Sequence, residues 1–174
     1  MIYSKLKLLK NILAVLFIVL LCNSCGIYSF SGISISPEIK TFEVEKFRST
    51  SGIIEAGLDR RFTTELQDYI LNQTNLNLVT NNGDIIYDGE IIDFYIAPNN
   101  ATDTNNTAEN RLTIKIKVRF TDLKNSKNNL EKIFSHFYDY PSADQLIGAV
   151  ADVAYQEIFE RIKQDIVNAT LAKW

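Results

Sequence analysis

The chain has 174 residues, with 18 Lys and Arg against 21 Asp and Glu and a formal net charge of −3. That balance argues against a nucleic-acid binder, and 46% apolar residues place the chain in the globular class, not the disordered one. With two cysteines, Cys22 and Cys25, and one histidine, His136, there is no material for a disulfide framework or a Cys/His metal cluster.

The first element is residues 1–24. Lys5, Lys7 and Lys10 precede an apolar run over residues 12–21, and no acid occurs before Cys25. A basic start, a short apolar core and a small residue at the end read as a secretory signal peptide. The apolar run would make about 15 Å of helix, too short for a ~30 Å hydrocarbon core. Removing residues 1–24 takes away three lysines and leaves 150 residues of net charge −6. That length suits one domain with one core. The expected organisation is a lipidated N-terminal segment over residues 25–36 and a single domain over residues 37–174.

The end of the run reads Leu21-Cys22-Asn23-Ser24-Cys25-Gly26. It resembles the lipobox of bacterial lipoproteins, in which a peptidase cuts just before a cysteine that receives a covalent diacylglycerol and an N-acyl chain. The resemblance implies Cys25 as the lipidated residue. Cys22 occupies the position where Leu is usual, and Asn23 is larger than usual for its place. Cys22 is the competing acceptor, but bulky Leu21 would then precede the cut. Each buried CH₂ contributes about 0.8 kcal/mol, so several acyl chains hold a protein on a membrane permanently.

Residues 26–36 carry no charge and are apolar at about every second position, which predicts contact with the domain or a partner, or the start of a strand. Residues 37–49 alternate well enough for a strand that breaks near Lys46. Leu58, Phe62, Leu66, Tyr69 and Ile70 recur at helical spacing, so a helix is expected over residues 54–73. A short strand over 76–80 and a long one over 85–97 flank Asn82-Gly83, a hairpin signal. Gly89 inside the long strand is a candidate bulge. Residues 99–110 are polar and read as an exposed loop.

The clearest pattern follows. Leu112, Ile114, Ile116, Val118 and Phe120 alternate with Arg111, Thr113, Lys115, Lys117, Arg119 and Thr121. That is a half-buried strand with a basic outer face. A returning strand covers 130–140, with Ile133, Ser135, Phe137 and Asp139 on one side and Phe134, His136, Tyr138 and Tyr140 on the other. A long helix then runs to about residue 172, with Ser142 as its expected N-cap and Ile147, Val150, Ala154, Ile158, Ile162 and Ile166 as its core stripe. Lys163 belongs to the water-facing side. Strands grouped between helices predict an α+β fold: two helices on one face of a mainly antiparallel sheet of four to five strands.

No catalytic constellation stands out, and the chain reads as a non-enzyme. There is no Gly-rich phosphate loop, no serine in an elbow context and no His-x-x-His spacing. His136 sits between Phe134 and Tyr138 and reads as structural. Asp84, Asp88, Glu90 and Asp93 could serve acid–base or calcium chemistry, but their irregular spacing favours a solvated strand edge. Lys115, Lys117 and Arg119 are the strongest candidate site. Neighbours in such a row lie about 6.6–7 Å apart, a spacing that can meet phosphates or carboxylates. The plainer reading is a polar outer face, and a Glu on the next strand could neutralise the row.

Several stretches, taken in order, resemble one family: Cys25-Gly26-Ile27-Tyr28-Ser29-Phe30, Phe62-Thr63-Thr64-Glu65-Leu66, Asp88-Gly89-Glu90-Ile91, Asn110-Arg111-Leu112-Thr113-Ile114-Lys115-Ile116-Lys117-Val118-Arg119-Phe120 and Asn168-Ala169-Thr170-Leu171-Ala172-Lys173-Trp174. They are similar to the LptE family of lipopolysaccharide-assembly lipoproteins. The resemblance implies an α+β domain on the periplasmic side of the outer membrane, held there by lipid. It implies no cofactor beyond that covalent lipid. It implies a partner, the β-barrel LptD, whose lumen the lipoprotein plugs, and lipopolysaccharide as the cargo, with Lys115, Lys117 and Arg119 as a candidate lipopolysaccharide or partner patch. The alternative is a generic periplasmic adaptor lipoprotein that binds another envelope protein.

Overall fold

The strand with the strict alternation becomes the spine of the sheet. The computed structural model describes residues 35–50, 52, 55–99 and 108–172. The signal peptide, Cys22, Cys25, residues 26–34 and most of the polar loop lie outside the described residues. In chain order the elements are β1 (Thr41–Val44), β2 (Arg48–Ser49), α1 (Leu58–Gln73), β3 (Asn77–Leu78), β4 (Ile85–Asn99), β5 (Glu109–Asp122), β6 (Leu130–Pro141) and α2 (Gly148–Thr170). A short 3₁₀ turn, Ser126–Asn128, joins β5 to β6.

β5 pairs antiparallel with β4 on one side and with β6 on the other. Leu112, Ile114, Ile116, Val118 and Phe120 are all buried, as the alternation requires. Both helices cover that side of the sheet. α1 buries Leu58, Phe62, Leu66 and Ile70, and α2 buries Ala154, Ile158, Ile162 and Ile166. Each fully buried Leu, Ile or Phe side chain among them contributes about 1.5–3 kcal/mol relative to exposure. The fold is therefore α+β with two helices on one sheet face. It differs from the expectation in having six strands, in the order β3-β1-β4-β5-β6 with β2 also beside β4, and in pairing β1–β3, β1–β4 and β2–β4 parallel.

The parallel part replaces the expected hairpin. β3 and β4 do not pair with each other; β1 lies between them. The Asn82-Gly83 turn, with Asn82 at φ 61, instead carries the chain across β1. Gly83 makes this possible, because a Cβ there would lie 2.7 Å from the Glu43 backbone nitrogen. Asp84 then pins the start of β1. Its Oδ2 accepts hydrogen bonds from the Lys40 and Thr41 backbone N–H groups at 2.9 and 3.0 Å and from the Thr41 hydroxyl at 3.0 Å. Its Oδ1 meets the Lys124 ammonium at 2.8 Å.

Gly89 is not a bulge. It pairs in register with Val118, and the register shift falls between Ile91 and Asp93. Gly89 is small because Phe47 crosses it: a Cβ would lie 2.7 Å from the Phe47 ring and 2.2 Å from the Lys117 carbonyl oxygen. Phe47 stacks edge-on against Phe62 of α1, and Phe62 against Phe159 of α2, both at 5.0 Å between centroids. Thr63 fastens the same joint: its hydroxyl accepts from Phe47 N–H at 3.1 Å and donates to the Asp59 carbonyl at 2.8 Å.

The helix starts also move. α1 begins at Leu58 because Gly57 takes φ 93, which no helix interior accommodates. α2 begins at Gly148, not after Ser142, whose N–H donates to the Ala108 carbonyl at 2.9 Å and extends the β5–β6 pairing. Ile147 is thereby left outside the core stripe and is 66% exposed. Lys163 departs in the other direction. It is only 8% exposed, with its ammonium 3.2 Å from Glu65 of α1 and 3.1 Å from Glu160. Its stem packs between the helices while the charge is paired at the rim.

Two outcomes follow. Gly89→Ala forces the Lys117 carbonyl or Phe47 to move and should cost about 1–3 kcal/mol, read as a lower urea midpoint with unchanged slope. Asp84 is held well below the usual carboxylate range, first by Lys124 and then by the Lys40 and Thr41 donors. A depressed folded-state pKa contributes stability above the unfolded value of about 3.9, and this is lost as pH falls. Asp84→Asn should therefore lower stability at neutral pH and flatten its decline between about pH 5 and pH 2, as measured by urea unfolding across that range.

Candidate functional site

The face of the sheet away from the helices is built by the alternate residues of β4, β5 and β6. β5 contributes Arg111, Thr113, Lys115, Lys117 and Arg119, so the three cations of the candidate site do share one face. Register then decides what they meet. Lys117 lies opposite Glu90 on β4 and Ile133 on β6, Lys115 opposite Asp93 and Ser135, and Arg119 opposite Asp88 and Glu131.

Each cation takes a carboxylate from a neighbouring strand. Lys115 Nζ is 3.0 Å from Asp93, Lys117 Nζ is 2.7 Å from Glu131, and Arg119 Nε donates to Asp88 at 2.9 Å. The same pairing shifts proton affinities. Hydrogen bonds to Asp93, Glu131 and Asp88 raise the pKa values of Lys115, Lys117 and Arg119 respectively. Lys117 in turn lowers that of Glu131. At the far end of the row, Arg111 grips Asp139 through two hydrogen bonds of 2.7 and 2.8 Å and lies 3.7 Å over the Phe137 ring. Arg111 was visible in the alternation, but its partners sit on another strand, where only the register shows them.

The face is thus an ion-pair ladder, not a bare basic stripe. A shallow depression of about 250 Å³ at its β2 side has four carboxylates, Glu45, Asp88, Glu90 and Glu131, against four cations, Lys46, Arg48, Lys117 and Arg119. The ladder is solvent-facing, and exposed pairs of this kind contribute only about 0–1 kcal/mol each.

The remaining candidates separate. Asp84 is structural at β1, while Asp88 and Asp93 are spent on Arg119 and Lys115. Among the described residues no three His, Cys, Asp or Glu side chains come together to hold a metal. His136 lies on the helix side, where Nε2 is 2.7 Å from Asp165 of α2.

With that geometry in hand, comparison with known proteins decides the family. The sequence profile of LptE, described as lipopolysaccharide-assembly, matches residues 39–170. The chain belongs to the LptE family. The match begins two residues before β1 and ends with the last residue of α2, so it takes in the ladder and both helices. No curated protein sequence matches the chain. Among solved structures, the hypothetical protein CT253 from Chlamydia trachomatis is similar over 78% of this chain and 99% of its own, with a TM-score of 0.55 and 9% identity. Protein XCC0632 from Xanthomonas campestris is similar over 80% of this chain and 90% of its own, with a TM-score of 0.54 and 13% identity. Those likenesses show a shared fold. Membership in LptE makes the chain a lipopolysaccharide-assembly protein at the level of the family.

Reversing the row, with Lys115, Lys117 and Arg119 all changed to Glu, sets like charges against Asp93, Glu131 and Asp88. The thermal midpoint should fall, and about 0.5 M salt should recover most of the loss by screening. An unchanged midpoint at low salt would show that the ladder contributes nothing to the fold.

Proposed function

We propose that this chain is a non-enzymatic outer-membrane lipoprotein, anchored through lipid on Cys25, that plugs and assists an LptD-type β-barrel during lipopolysaccharide transport and assembly. The observation that carries the reading is the family match over residues 39–170. The basic, apolar and cysteine-containing start of the sequence supports the anchor. Among the described residues no helix is long and apolar enough to cross a membrane. In this reading a covalent lipid supplies the attachment.

The row remains the candidate contact for lipopolysaccharide or for the barrel wall. Its cations reach water and are held by weak surface pairs, which a polyanionic ligand can exchange. The neighbouring carboxylates oppose that exchange, so binding through the row should be modest and sensitive to salt.

The experiment is purification of the native protein from outer membranes, with mass spectrometry of its N-terminus and of what travels with it. The expected result is a chain beginning at acylated Cys25, recovered with an LptD-type barrel. Recovery of an unrelated envelope protein would move the assignment to a generic adaptor. The same purification with Gln at positions 115, 117 and 119 tests the row: retained barrel with reduced lipopolysaccharide supports it, and unchanged lipopolysaccharide removes it.

A further inference from the structure

The two edges of the sheet differ. On one side the sheet ends at β3, a strand of two residues. On the other it ends at β6, twelve residues that pair with β5 from Glu109↔Pro141 to Phe120↔Leu130 without a register shift. Among the described residues nothing pairs with the outer side of β6. About every second residue of an antiparallel edge points its N–H and C=O outward, which makes a row some 40 Å long. Long, unbulged edges are normally blunted, because they recruit other strands.

The Lys, Asp and Glu side chains of β6 lie only toward its ends, Glu131 and Lys132 at one and Asp139 at the other with Pro141 closing it, so its centre is left without them. On the open face its side chains read Glu131, Ile133, Ser135, Phe137 and Asp139. Ile133 is 51% exposed and Phe137 is 42% exposed. Two apolar groups therefore stand at the centre, with a carboxylate beyond each. Glu131 uses Oε1 for Lys117, and Asp139 accepts from Arg111 through both carboxylate oxygens. A carboxylate has about four lone-pair sites and can take one more cation. Arg111 holds the Phe137 ring from one side.

We propose that the outer edge of β6 docks an extended strand of another polypeptide, with basic side chains eight residues apart and apolar ones two residues inside each. Alternate side chains of the incoming strand would then read basic, apolar, any, apolar, basic. That order is the same in both directions, so it suits either strand polarity. Charge argues against a second copy of this chain. The register that would set Ile133 against Phe137 of a second copy also sets Glu131 against Asp139, at both ends, and directly opposed like charges destabilise a strand pair. The proposal concerns the surface and the pattern it accepts, whichever envelope protein supplies the strand, so it stands or falls separately from the assignment of the barrel.

The test is amide hydrogen exchange on the full chain in detergent. The probe is the peptide Lys-Thr-Val-Thr-Ser-Thr-Val-Thr-Lys, and the control has Glu at both ends. At about 1 mM the lysine peptide should slow exchange across residues 130–141 by at least about tenfold and leave residues 85–99 unchanged. The control should give no protection. The double variant Ile133→Ser, Phe137→Ser alters only exposed side chains and should keep the fold while losing the protection. Equal protection by both peptides, no protection by either, or outward amides of β6 already slow without peptide because this chain's own residues or a second copy cover the edge, would each overturn the proposal.

Discussion

Everything in this fold passes through the contact of Phe47 with Gly89. A side chain at 89 would occupy the ring's place, so the absence of one lets the short parallel strands close onto β4. From there the aromatic chain runs to Phe62 and on to Phe159, so one continuous set of rings joins the sheet to α1 and α1 to α2. Three elements distant in sequence are set at fixed spacing by ring-edge contacts, each worth about 0.5–1.5 kcal/mol beyond the area it buries. The hydroxyl of Thr63 ties the backbone at Phe47 to the same helix turn.

A second buried polar contact repeats this logic at the far end of α2. Thr170 donates its single proton to the Ile166 carbonyl at 2.8 Å, so Tyr87 must donate to Thr170 across 2.9 Å. Burial pushes the Tyr87 hydroxyl well above its ordinary pKa. α2 is thereby held to the sheet by rings near its middle and by a hydrogen bond at its last turn. Lys163 closes the seam between the helices with Glu65. The helix face of the sheet is specified residue by residue. The other face carries ion pairs together with exposed apolar side chains, Ile133 and Phe137.

That contrast explains what could be read from sequence. The β5 alternation, both helix stripes and the two sides of β6 are local patterns, and they were legible. The placement of β1 between β3 and β4 was not, because Asn82-Gly83 has the local chemistry of a hairpin. What overrides it is the close approach of Gly83 to Glu43, some forty residues away in the chain. Gly57 and Gly148, both at positive φ, shortened the helices in a way that apolar spacing does not encode. Lys163 is charged and follows Ile162, so periodicity alone sends it to solvent. For the site, three cations on one face were legible from alternation. Their partners Asp93, Glu131 and Asp88 belong to two other strands, and only the register brings them within 3 Å.

The crossing over β1 has a mechanical consequence. Toward its N-terminus the described chain runs out through β1 and past Ile39 and Ile35, which still pack on the core; β1 itself is hydrogen-bonded on both sides, to β3 and to β4, in the same direction. Tension along that end of the chain would not peel a strand off an edge one bond at a time. It would load two rows of bonds together in shear, with Asp84 gripping the leading residues, Lys40 and Thr41, as a clasp. The residues that first bear such a pull are Lys40 and Thr41, which Asp84 Oδ2 holds through three hydrogen bonds.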